Sequence, residues 1–290
     1  MAKHFIRGKY RDEDRIIGPS LDAIENAYDI LLALPDSDSA SFISMDSHRK
    51  SSEEGDLNKV WMNVFVDNYN WLKFFWWSSA LKTRQLTASL IELYNSDSYL
   101  PWLILARSTL EYAAVSYHFV RKIDRNRLMG PHFRAGDLMA FEDVMKQYAH
   151  GSRFNWKRLL AGDLTNLQSD LFPEQSKAVN VLTALNTLSK RDERYKDLCI
   201  AYEMLSDFAH PNMASHTSIC EMPTAPLGSQ VRMHVRPGQL RGEFLMIISL
   251  PWVSTGVGTV VELFSELTPL VRTWLSYLEG GPKITIDLRQ

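Results

Sequence analysis

The chain predicts a mainly α fold: an antiparallel helical bundle with a small β-containing excursion near residues 218–249. Three observations carry this. Apolar residues recur at three- and four-residue spacing over most of the chain. Two of these patterns, Leu57–Tyr94 and Tyr99 to about Asp124, are long enough to span a domain. Only after Pro211 does the character change to short alternating runs bounded by Gly and Pro.

Taken in order, Ser20–Leu34 places Leu21, Ile24, Ala27, Tyr28, Leu31 and Leu32 on one helical stripe, with Ser20 as its expected N-cap. Pro35–Asp56 is rich in Ser, Asp and Glu and predicts an exposed, mobile connection. Residues 1–56 thus form a first region. The helical core, 57–216, opens with the stripe Leu57, Val60, Trp61, Val64, Asn68, Trp71, Leu72 and Phe75. Between Trp71 and Trp77 the pattern is apolar almost all round, so this helix is central or faces a second subunit, and a homodimer is expected. Stacking on nucleic-acid bases would need several cations nearby, and only Lys73 interrupts the run.

Asn95–Ser98 breaks the chain, and Pro101 is tolerated in the first turn of the next helix. Arg121–Arg134 holds the one basic cluster and reads as a solvated helix end or an anion-attracting rim. Asp137–His150, Phe154–Leu160 and Pro173–Lys190 predict shorter helices, the last with Val179, Leu182, Leu185 and Leu188 as its stripe. Asp192 is the expected cap of a helix that ends at His210. In the third region, 217–290, Ser218–Met222, Val231–Val235 and Glu243–Ser249 predict short strands. A helix from about Val253 to Leu278 packs on the same core, and Lys283–Leu288 alternates like a terminal strand.

The bulk properties exclude several classes. With 290 residues, 45% of them hydrophobic, a real core can form. A net charge of −2 advertises no general nucleic-acid binding. Cys199 and Cys220 do not make a disulfide framework, and the N-terminus has no apolar run of signal-peptide length, so a cytoplasmic setting is expected. Leu100–Val120 is greasy but contains Arg107 and Glu111, and reads as a buried helix rather than a membrane span. No phosphate-binding Gly loop, Rossmann fingerprint, paired-Cys site, His-Glu-x-x-His helix or Gly-x-Ser-x-Gly elbow is present, so no metal and no cofactor is expected.

What remains is a set of polar residues on helices. Tyr202, Ser206 and His210 recur every four residues and share one face, with Pro211 stopping the helix and Asn212 just beyond. Arg107 and Glu111 are neighbours one turn apart inside an apolar stretch. His118 shares their face but lies about 16 Å further along the axis. Two readings of Arg107 and Glu111 stand: a buried pair that holds neighbouring helices in register, or an Arg aimed at a phosphate and oriented by Glu111. These residue types suit phosphodiester cleavage in RNA. His moves the 2′-hydroxyl proton or protonates the leaving oxygen, Arg stabilises charge on the phosphate, and Ser, Tyr and Asn position the groups. The same residues suit a passive hydrogen-bond network.

Leu105-Ala106-Arg107-Ser108-Thr109-Leu110-Glu111, followed by Tyr202, Ser206, His210, Pro211 and Asn212, resembles a set of bacterial all-helical proteins similar to the HEPN superfamily. The likeness covers roughly Leu57–His216 and rests on short motifs. It implies an RNase or nucleotide-binding partner of toxin–antitoxin or phage-defence systems, assembled as a homodimer, with RNA, a nucleotide or a cognate regulatory protein as partner. The superfamily's RNase signature is an Arg a few residues before a His near a helix end. His210 fits the His, whereas Glu203, Met204 and Leu205 occupy the places of the Arg. The resemblance therefore implies one of two things. The chain is a metal-independent ribonuclease, with His210 as acid/base, Arg107 as phosphate clamp, Glu111 and Ser206 as orienters, and Tyr202, Asn212, Arg125 and Arg127 on the substrate. Or it is a non-catalytic binding or regulatory module whose Arg/Glu/His network is structural or grips a small anion.

Overall fold

A computed structural model describes residues 4–10, 13–35, 38–150, 179–191, 193–210 and 239–288. The fold is mainly α, with one small sheet among the described residues. After the short α1 (Glu13–Ile16), α2 spans Gly18–Leu32 and α3 Met45–Glu53. The long α4 (Leu57–Asn95) and α5 (Tyr99–Lys122) follow, then α6 (Arg125–Leu128) and α7 (Ala135–His150). The remaining helices are α8 (Val181–Ser189), α9 (Leu198–Ala209) and α10 (Gln239–Leu278). Strands β1 (His132–Arg134) and β2 (Thr285–Asp287) pair in parallel, Phe133 opposite Ile286.

The contacts resolve into two compact units that interleave along the chain. The first takes residues 1–36, 80–117 and 181–262; the second takes 37–79, 118–180 and 263–290.

In the first unit α2 buries Leu21, Ile24 and Leu31 completely, as its spacing predicts, whereas Leu32, expected on the same stripe, is 44% exposed. Ser20 is not its cap: the helix begins two residues earlier, with Pro19 pre-set for the first turn and Ile17 at the N-cap position. The chain from His4 to Tyr10 is strapped on by polar contacts. Glu25, 7% exposed, accepts from the His4 and Phe5 backbone N–H groups and pairs with Arg7 at 2.7 Å. Lys9 donates to the Tyr94 and Asn95 carbonyls at the end of α4. Ser96–Ser98 then reverses the chain with Asp97 at φ 55°, a left-handed conformation that Asp tolerates. On α5, Trp102 is fully buried and its indole N–H donates to Ser249 Oγ of α10 at 2.8 Å. Gly242 lets α10 approach closely, since a Cβ there would lie 2.6 Å from the Tyr99 ring.

In the second unit α4 meets α7, α10 and the sheet. Trp274 is fully buried among Phe65, Phe133 and Phe141, and its indole N–H donates to the Leu128 carbonyl at 2.7 Å. Asn68, 1% exposed on the apolar stripe of α4, donates to the Leu138 carbonyl, which explains a polar residue in that row. The aromatic run is largely covered by its own chain. Phe75 packs edge-on against Phe119 and Tyr148, while Trp76 stacks on Phe264 and donates to Thr268. Phe74 remains 43% exposed, beside Trp71 and an equally exposed Phe42.

Several expectations change. The connection 35–56 contains α3, capped by Ser44 and tied to α4 through His48–Asp67 and Asn63–Ser51. Glu243–Ser249 is helical, the first part of an α10 that runs through Pro251. A short apolar run does not tell strand from buried helix, and Pro251 looks like a helix start when its neighbours are not seen. Ser218–Met222, Val231–Val235 and Phe154–Leu160 lie outside the described residues, as does Asp192. The N-cap position of α9 is Asp197. Within Pro173–Lys190 the described helix is Val181–Ser189, with Leu185 and Leu188 buried and Leu182 half exposed. The terminal strand is present and finds its partner in β1. The segment Gly242–Leu278 is the one described helix long and apolar enough to cross a membrane, and half of its most apolar window is buried within the chain.

Candidate functional site

The polar residues of the first unit meet where α5 crosses α9. Each helix buries one face: Ala106, Leu110 and Ala113 on α5, Leu198, Ala201 and Leu205 on α9. Arg107 and Glu111 sit on the flank of α5, one turn apart, and Tyr202 reaches them from α9. The three close a ring. Arg107 Nη2 lies 2.9 Å from Glu111 Oε1 and donates to the Tyr202 hydroxyl at 3.1 Å. That hydroxyl in turn donates to Glu111 Oε1 at 3.0 Å. The guanidinium also rests over the Tyr202 ring, 5.2 Å from its centroid.

The pair is not sealed in the core as its apolar neighbours suggest: the Arg107 and Glu111 side chains keep 24% and 29% exposure. Burial disfavours the Arg107 charge, but the Tyr202 hydroxyl and Glu111 outweigh it and hold Arg107 above its ordinary value. Lys82 of α4 adds a second cation, its ammonium 4.3 Å from the Tyr112 centroid. Burial pulls this lysine below the usual range, and Glu111 opposes that shift. Nothing in the sequence around Lys82 marks it, because only the packing of α4 on α5 brings it here.

Ser206 and His210 stand further along α9. The Ser206 hydroxyl donates to the Tyr202 carbonyl one turn back at 2.7 Å, so its proton serves its own helix. His210 is the exposed C-cap, with extended backbone at φ −98° and ψ 148°, the conformation a following proline demands. His210 follows Tyr202 by eight positions, about 12 Å along the axis. One phosphate held by a hydrogen bond on each side spans only ~8 Å. Arg107 is placed against Tyr202, which precedes His210 by about two helical turns. Asn212 lies outside the described residues.

Arg125 and Arg127 belong to the other unit. Arg125 pairs with Glu266 at 3.0 Å, and Arg127 bridges Asp124 and Asp137 at 3.0 and 3.2 Å. His132 bonds Thr285 Oγ1 at the sheet. His118 is likewise in the second unit, edge-on to Phe119.

A polar cluster that the sequence does not announce surrounds Glu262 of α10. It accepts from Tyr195 and pairs with Arg191, whose guanidinium lies over Tyr117. Among the described residues no group of three or more His, Cys, Asp or Glu could hold a metal ion. No protein-family model matches the chain, and no curated protein or solved structure matches it.

Proposed function

We propose that the chain is a non-catalytic helical binding or regulatory module, and that Arg107, Glu111 and Tyr202 form a structural tie between α5 and α9. The supporting observation is the closed ring: the Tyr202 hydroxyl accepts from Arg107 and donates to Glu111. The ring holds the guanidinium through Nη2 and sets the Glu111 charge against it, so a phosphate would have to compete with that carboxylate. The Ser206 hydroxyl is likewise engaged by its own helix. In this reading the likeness to HEPN proteins concerns architecture, the setting is cytoplasmic, and any homodimer would use Phe74 of the aromatic run with its neighbours Trp71 and Phe42.

One observation favours the ribonuclease reading: His210 is exposed at a helix end, where a substrate can reach it. RNA cleavage in the presence of EDTA separates the two. The module reading expects no cleavage above the protein-free blank, with parent and His210→Ala alike. Cleavage by the parent that disappears in a folded His210→Ala variant would restore the enzyme, with His210 as its acid/base.

A further inference from the structure

In the second unit a cleft of about 640 Å³ opens where the end of α5 and α6 face α10. That volume lies within the range of small-ligand sites, ~300–1,000 Å³. Its charged lining is Arg121, Lys122 and Arg125 against Asp124 and Glu266. Three positive groups against two negative leave +1, whereas the whole chain carries −2. Met129, 38% exposed, and Leu270 supply apolar surface beside the charges.

Glu266 organises the cleft. Arg121 Nη2 donates to both of its carboxylate oxygens, at 2.8 and 2.9 Å. Arg125 Nη2 pairs with the same carboxylate at 3.0 Å, and its Nη1 donates to the Glu266 backbone carbonyl at 3.2 Å. Two guanidinium forks, each 32% exposed, are thus held in place around one carboxylate. Lys122 lines the same cleft, with its ammonium on the neutral Gln147 amide. His118 lies one turn before Lys122 on α5. Burial first, and the Lys122 charge second, hold it below the ordinary histidine value.

We propose that this cleft binds a small polyvalent oxyanion carrying a phosphate or pyrophosphate group, with Arg121 and Arg125 as its forks and Glu266 as the internal carboxylate it displaces. A phosphate group brings more charge and more acceptor oxygens than a carboxylate, and planar guanidinium forks match both. The cleft's limited volume and its single excess charge suit a small ligand better than a nucleic-acid strand, which needs a continuous basic track. The inference is independent of how Arg107 and His210 are read.

The test is a calorimetric titration of the whole chain with inorganic pyrophosphate at low salt, against sodium chloride of matched ionic strength. Parent protein should bind saturably. Arg125→Ala should weaken binding about tenfold, since a charge-assisted contact is lost. Glu266→Gln should tighten it, because the competing charge is gone while the shape of the side chain is kept. All three side chains are partly exposed, so the variants should keep the parent's circular dichroism. Absence of saturable binding by the parent would overturn the proposal. So would a Glu266→Gln variant that binds as weakly as Arg125→Ala, which would mark the three residues as a structural knot. A single-stranded oligonucleotide that binds through Arg125 far more tightly than pyrophosphate would also overturn it, in favour of a strand-binding surface.

Discussion

Trp274→Ala should lower the stability of the chain by about 3–5 kcal/mol, the range for truncating a fully buried large aromatic. The indole is 0% exposed and contacts three aromatic rings: Phe65 at 4.9 Å, Phe141 at 5.3 Å and Phe133 at 5.9 Å between centroids. These rings come from α4, α7 and β1, so one side chain of α10 joins three separate stretches of sequence. Truncation leaves a cavity that the rings cannot close, and it strands the Leu128 carbonyl that accepts the indole N–H. Trp274→Phe should cost less, because it keeps most of the volume and loses mainly the hydrogen bond. Urea unfolding followed by circular dichroism gives both values. A loss below about 1 kcal/mol for the alanine variant would mean that Trp274 is not packed as described.

Glu25→Ala should cost about 2–4 kcal/mol, because it removes the acceptor of two backbone N–H groups and leaves Arg7 without its most buried partner. The same contacts set a pH dependence. Burial alone would raise the Glu25 carboxyl, but the Phe5 N–H, Arg7 and the His4 N–H outweigh it and hold it below its ordinary value. A depressed carboxylate contributes its stability above the unfolded-state value of about 4.3 and loses it as pH falls through the lower folded value. Glu25 should therefore contribute fully at neutral pH and progressively less below about pH 4. Glu25→Gln, which cannot titrate, should show a shallower loss of melting temperature in that window. Parallel acid limbs for parent and variant would contradict the assignment.

The elements most legible in the sequence are those whose signal is local and repeated. Long stripes fixed α4 and α5 to within a residue or two, and Asp97 in a left-handed turn suits the break between them. The terminal strand was visible from its alternation, but its partner was not. Three residues at 132–134 carry too little pattern, and the pairing joins segments about 150 residues apart in sequence. The same limit hid α3, whose polar face reads as a loop until His48 and Ser51 find Asp67 and Asn63. Glu243–Ser249 was misassigned because an apolar run of strand length is also one and a half turns of buried helix.

At the candidate site, helical spacing correctly made Arg107 and Glu111 neighbours and put Ser206 one turn after Tyr202, while His210 caps the helix with extended backbone. Spacing on one helix does not say which turn a second helix meets. The crossing of α5 and α9 selects Tyr202, two turns before His210, as the partner of Arg107. Lys82 and the Arg191–Glu262 cluster escaped notice for the same reason: each depends on a helix contact rather than on a motif.

The measurement that bears most directly on the Arg107–Glu111–Tyr202 tie is a double-mutant cycle in urea unfolding. It uses Arg107→Ala, Tyr202→Phe and the two together. The pair is partly exposed, so each single change should cost about 1–2 kcal/mol rather than the larger loss of a sealed ion pair. The double variant should lose about 1 kcal/mol less than the sum, because both changes open the same ring. Additive losses, with the parent's circular dichroism retained, would mean that Arg107 and Tyr202 act independently and that the ring is not what joins α5 to α9.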